Sequence, residues 1–254
     1  VAANLTTSNA PILFDTNVVI NRGVTLNSGT STVELVGADP QSLQAEGATL
    51  GNLTHRGIGT LRLRSGLTIG GNLRNLTGDF DANGQAVTIN GATIFSDSLY
   101  RPGVTAQVFN GDFTLQLGAT LRGDLNGAAT GQFSQLQVGG TVNLAAPGDP
   151  LGSTLQVVTG FTPALNTSFM IIDNDSNSPV IGAFAGLPQG ATFSMGAATF
   201  QISYQGGDGN DVVLTALQVS TATPTPTGTP PTPTPTVTGT PPTPTPTGTP
   251  TATV

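Results

Sequence analysis

Along residues 1–217 apolar and polar positions alternate with a period of two. Leu61-Arg-Leu63, Leu67-Thr-Ile69, Val87-Thr-Ile89, Phe113-Thr-Leu115-Gln-Leu117, Leu136-Gln-Val138, Val142-Asn-Leu144 and Phe200-Gln-Ile202 each put an apolar side chain on every second position. Successive side chains of a strand point to opposite faces, so the pattern predicts short strands with one buried face each. Asn-Gly pairs at Asn83, Asn90, Asn110 and Asn126 mark turns between them. Only 42–50 suggests helix, as one or two turns interrupted by Gly47.

Many short strands with such turns build either a sandwich or a solenoid. Three features favour the solenoid. The strands are very short, as the sides of a coil would be. The segments 66–73, 85–91 and 111–118 read as variants of one coil side. The aromatics are sparse and form no evident cluster, which suits a narrow interior of small aliphatic residues. A coil of roughly 20 residues adds one ~4.8 Å layer, which would make residues 12–160 about seven layers deep. Leu67, Ile69, Val87, Ile89, Leu115 and Leu117 are expected to point inward. The expected fold is therefore all-β: a right-handed β-solenoid body over 1–160, a β-rich cap over 161–217, and an extended tail over 218–254.

The tail is almost wholly threonine and proline. Thr227-Gly-Thr-Pro-Pro-Thr-Pro-Thr-Pro-Thr236 recurs as 238–247. Proline lacks a backbone donor and pushes its predecessor towards extended geometry, so neither helix nor sheet ladder can form. Polyproline II is what remains, at ~3.1 Å per residue. Such stalks belong outside cells and often carry sugar on their hydroxyls, which makes Thr225, Thr234 and Thr245 glycosylation candidates. Together these features predict a secreted or cell-surface protein. The chain shows no signal peptide, and Val1 is read as an end left by processing.

Composition narrows the partners. Only 8% of the chain is charged, all seven basic residues are arginine, and the net charge is −7. That balance argues against nucleic acid and anionic membrane as partners. No apolar run reaches the ~18 residues of a membrane-spanning helix. Cysteine is absent, so there are no disulfides and no thiolate metal sites.

The stretch 72–90 resembles the rungs of secreted bacterial β-helix proteins of the adhesin and autotransporter-passenger type. The block Ser168-Phe-Met-Ile-Ile-Asp-Asn-Asp175, with 184–190 and 200–214, is similar to the β-rich segment that closes such helices. The resemblance covers about residues 60–217. It implies a surface-exposed, right-handed β-helix with an adhesive or structural role. The chain departs from that family in being short and in lacking a translocator barrel.

Several motifs suggest chemistry. Gly206-Gly-Asp-Gly-Asn-Asp-Val-Val-Leu214 fits the calcium nonapeptide, with Asp211 as its ligand. That architecture holds calcium between consecutive turns, and this chain has one copy; the competing reading is a hairpin loop joining 200–205 to 211–217. Asp173-Asn-Asp175-Ser-Asn177 opens like an EF-hand loop but has Ser178 and Phe184 where the glycine and glutamate belong, so a polar turn is expected. Asp79 and Asp81 flank Phe80 and would share one strand face, as a glycosidase pair would; the alternative is two solvated aspartates before a turn. Arg62, Arg64 and Arg74 could stack and hold an acidic polymer, against the plainer reading of a solvated face. His55 stands alone, which leaves no histidine triad or zinc cluster to assemble. N-linked sequons occur at Asn4, Asn52, Asn75, Asn166 and Asn174.

No catalytic residue, cofactor or metal is assigned. The expectation is a non-enzymatic extracellular structural protein that self-assembles into a fibre or sheath, with itself and glycans as partners and without membrane insertion. Two alternatives stay open: a secreted polysaccharide-acting enzyme on the same fold, and a carbohydrate-binding adhesin.

Overall fold

The computed structural model describes residues 4–27, 32–144 and 152–219. No helix occurs among them. The strands form three long stacked sheets, parallel throughout their shared part, and a two-stranded pair of Leu5–Thr6 with Leu26–Asn27. The first sheet stacks Ile12–Phe14, Thr32–Leu35, Asn52–His55, Leu73–Asn75, Thr93–Phe95, Phe113–Leu115 and Val142–Asn143. The second stacks Val18–Val19, Gln41–Gln44, Leu61–Leu63, Phe80–Asp81, Leu99–Arg101, Thr120–Leu125 and Thr154–Thr159. The third begins with Thr49–Leu50, Leu67–Ile69, Val87–Ile89, Gln107–Phe109, Leu136–Val138 and Ser168–Asn174. The chain visits the three sheets in turn, an arrangement compatible with a β-solenoid. In the first sheet Leu53 pairs with Leu73 and Leu73 with Thr93, each 20 positions on.

Three features of the sequence hold the layers in register. A column of glycines, Gly71, Gly91, Gly111 and Gly140, stands at the corner between the third and first sheets. A Cβ on Gly91 would lie 2.6 Å from the Gly71 carbonyl, and one on Gly111 2.5 Å from that of Gly91. At this corner the neighbouring backbones come too close for any side chain. Beside it, asparagine and aspartate side chains take the place of ladder carbonyls. Oδ1 of Asn52 accepts the N–H of Asn72 at 2.8 Å, Oδ1 of Asn72 that of Ala92 at 2.8 Å, and Oδ1 of Asp112 that of Thr141 at 2.8 Å. In each case the earlier layer accepts and the later one donates, which satisfies donors that the turning backbone would leave unpaired.

The third feature is the core. Leu67, Ile69, Val87, Ile89 and Leu115 are buried as expected, but Leu117 is 46% exposed because its strand ends at Leu115 and the next turn has begun. The expectation of an interior without aromatic clustering is also corrected. Phe80, Phe95, Tyr100, Phe109 and Phe113 are all fully buried. Phe95 stacks on Tyr100 at 4.4 Å, and Phe80 meets both edge-on at 5.9 and 5.7 Å. These rings come from different sheets and adjacent layers, so no short window of sequence brings them together. The 42–50 segment is likewise strand, not helix: Gln41–Gln44 and Thr49–Leu50 take the layer's second and third sides.

At the far end the third sheet changes direction. Ser168–Asn174 pairs antiparallel with Asp211–Val219, which pairs with Ala198–Gly206 and that with Thr192–Met195. This meander continues the third sheet, and Ile181 pairs with the last strand of the first sheet through bonds to Val142 and Leu144. Tyr204 ties the closing segment together: its hydroxyl accepts the Phe184 N–H at 2.9 Å and donates to the Leu187 carbonyl at 2.7 Å. Burial pushes its pKa up to about 12. The tail and its candidates Thr225, Thr234 and Thr245 lie outside the described residues.

Candidate functional site

Charge concentrates on the outer face of the second sheet. Inward positions there are apolar or glycine apart from Gln41, whose amide bonds the Phe14 and Thr16 carbonyls, so alternation sends Ser42, Arg62, Asp81, Arg101 and Arg122 outward on successive layers. The register aligns Ser42 with Arg62, Arg62 with Asp81, and Asp81 with Arg101. Asp81 Oδ2 lies 3.2 Å from Arg62 Nε, Asp79 lies 2.9 Å from Arg101 Nη2, and Arg122 Nε donates to Asp124 at 2.7 Å.

The two aspartates weighed as a catalytic pair are both engaged. Oδ1 of Asp79 accepts the Leu99 N–H at 3.2 Å while its other oxygen faces Arg101. Oδ1 of Asp81 accepts the Asn83 N–H at 2.8 Å while its other oxygen faces Arg62. Each carboxylate thus holds a backbone N–H with one oxygen and faces an arginine with the other.

The structure separates the three arginines weighed as a stack, Arg62, Arg64 and Arg74. Arg62 and Arg64 line one open cleft of about 440 Å³ with Asn17, Ser42, Asp81 and Arg101. Arg74 belongs to the first sheet, paired with Thr54 and Ile94, and takes no part. Arg101 was not among the sequence candidates. Its signal was the layer period: it stands 20 positions after Asp81, and its strand pairs with the one carrying Arg122 one layer on.

Asp211 is buried in the hairpin between 206 and 211. Its Oδ1 accepts the Asn174 N–H at 2.8 Å, fastening the hairpin to Ser168–Asn174. Asn174 donates to the Ser178 carbonyl, which makes 173–178 a polar turn at a strand end. Around it the acids repel. Desolvation, then Asp175, Asp211 and Asp208, raise the pKa of Asp173. Among the described residues no group of three or more His, Cys, Asp or Glu side chains is arranged to hold a metal ion.

His55 is buried in the first sheet, its Nδ1 2.6 Å from Asn75 Oδ1. Burial lowers its pKa. The amide oxygen can only accept, so Nδ1 carries the proton and the ring is a structural strut between two layers. Asn75 and Asn174 are 0% and 1% exposed, so these two sequons are closed to a glycosyltransferase in the folded chain, whereas Asn4 and Asn166 are exposed.

Fold and site together define an all-β protein of stacked parallel sheets bearing a charged, arginine-lined outer face. No family model, no curated protein and no solved structure matches the chain.

Proposed function

We propose that this is a non-enzymatic structural protein of the cell exterior, a right-handed β-solenoid that associates with itself and carries a threonine/proline stalk. Right-handed winding follows from the rule that parallel crossovers take that hand in about 98% of cases. The exterior location rests on the tail composition and on the likeness of the rungs to adhesin and passenger β-helices. The two engaged aspartates and the buried His55 support a non-catalytic role.

One observation carries the self-association. The two ends of the stack differ: the third sheet is closed by an antiparallel meander, whereas Ile12–Phe14 ends the first sheet with Leu13 52% exposed. A sheet edge is a template for another strand, and exposed apolar side chains beside it add to the gain. With one end covered, pairing through the other gives a closed two-fold dimer, and a fibre or sheath needs a second contact. Leu13→Lys places a charge on this edge. It is expected to weaken association of the full chain at least about tenfold, ~1.4 kcal/mol, in sedimentation velocity. A parent that sediments as a monomer at every concentration, or a variant that associates equally well, contradicts the reading.

A further inference from the structure

We propose that the arginine cleft on the outer face of the second sheet binds the carboxylates of an acidic polysaccharide, a polymer of uronic acids. This goes beyond the structural reading and does not depend on self-association.

Placement is the first argument. The chain carries net charge −7, yet four of its seven arginines (Arg62, Arg64, Arg101 and Arg122) gather on or beside this one face. Three of the four line or border a single concavity of about 440 Å³. The local balance is positive on a protein that is negative overall, which draws an anion to this place in preference to the rest of the surface.

The second argument is donor capacity. A guanidinium has five N–H donors in a planar fork. Arg62 spends Nε on Asp81 and Arg101 spends Nη2 on Asp79. These contacts fix the orientation of the two side chains and leave further donors free to face the cleft. Arg64 has no ion pair among the described residues and is exposed, so it supplies the uncompensated charge. Planar forks match planar carboxylates in a two-point contact, which an ammonium cannot make.

The third argument is geometry and lining. Arg62 and Arg101 lie two layers apart on one column, a separation of roughly 9.6 Å at ~4.8 Å per layer. A ligand with regularly spaced carboxylates can therefore engage both without bending. Ser42 and Thr60 offer hydroxyls suited to sugar hydroxyls, and Pro40 is the one apolar residue of the lining. A protein partner would need an apolar or aromatic anchor, and single-stranded nucleic acid would need aromatic platforms. The cleft has neither.

The test is affinity electrophoresis of the full chain in gels containing alginate, with dextran as the neutral control and heparin as the sulfated one. Alginate is expected to retard the chain and dextran to leave it unmoved. Arg64→Gln and Arg62→Gln are each expected to weaken retardation about fivefold, the upper range for one exposed charged contact, with unchanged melting temperature. Arg74→Gln, on the first sheet, and Leu13→Lys, at the edge, are expected to bind alginate like the parent. The proposal is overturned if alginate does not retard the chain, if Arg74→Gln weakens binding as much as Arg64→Gln, or if heparin is held and alginate is not.

Discussion

Ile89→Asp is expected to abolish the cooperative melting transition at neutral pH. Ile89 is 0% exposed in the third sheet, aligned with Ile69 on one layer and Phe109 on the next. The substitution removes about 2–3 kcal/mol of apolar burial. It also buries a carboxylate in the column of Ile69 and Phe109, at a cost of several kcal/mol. A domain of this size holds about 5–15 kcal/mol in all, so the loss is comparable with the total. Burial raises the pKa of an introduced carboxyl, so the variant binds its proton more tightly folded than unfolded. Its deficit should therefore shrink as pH falls towards the acid range, whereas the parent gains nothing from this term. A variant that melts like the parent at neutral pH would show that Ile89 does not face the interior.

Gly111→Ala should destabilise nearly as much, for a different reason. Its Cβ would lie 2.5 Å from the Gly91 carbonyl oxygen and 2.6 Å from its carbon, both backbone atoms already fixed by the ladder. Neither can turn aside as a side chain could, so the two layers must part locally, at about 2–4 kcal/mol. Gly123→Ala is the matched control. Nothing lies within 4 Å of its Cβ, and its backbone is in the range any residue adopts. It should be neutral or stabilising by up to about 1 kcal/mol, since alanine lowers the entropy of the unfolded chain. Equal melting temperatures for the two variants would remove the close-packed corner from the account.

Much of the body was legible in the sequence because its determinants are local. Alternation at Leu61–Leu63, Leu67–Ile69 and Val87–Ile89 fixes strand and inward face together, and each is buried at both apolar positions. The coil of roughly 20 residues could be sensed from the likeness of 66–73 and 85–91, and Leu67 indeed pairs with Val87. What escaped depends on contacts between layers. The aromatic cluster joins Phe80, Phe95, Tyr100, Phe109 and Phe113, which no window of a few residues contains. The glycine column at 71, 91 and 111 was readable once the period was applied, but each glycine alone looks like an ordinary turn.

The site divides in the same way. Asp79, Asp81, Arg62 and Arg64 were singled out by type and spacing, and the structure places them on or beside one face. Arg74 was grouped with them because it is near in sequence, yet each side of a coil belongs to a different sheet, and Arg74 lies on another. Arg101 was missed because its partner Asp81 is a full layer earlier. Asp211, weighed as a calcium ligand, spends one oxygen on a backbone N–H of a strand 37 positions away. That bond becomes visible only when the closing meander is folded.

Layer stacking itself is tested most directly by distances along one outward column. Leu13, Glu34, Thr54, Arg74, Ile94 and Thr114 follow one another through the register of the first sheet. The chain has no cysteine, so spin labels can be placed at chosen pairs without background. Pulsed electron paramagnetic resonance on Leu13/Arg74, Leu13/Ile94 and Leu13/Thr114 should give separations of roughly 14, 19 and 24 Å, one ~4.8 Å step per layer. Equal increments for each 20 residues are what stacked coils require. Distances that fail to grow with layer number, or that shrink between Ile94 and Thr114 as in a folded-back sandwich, would contradict the account.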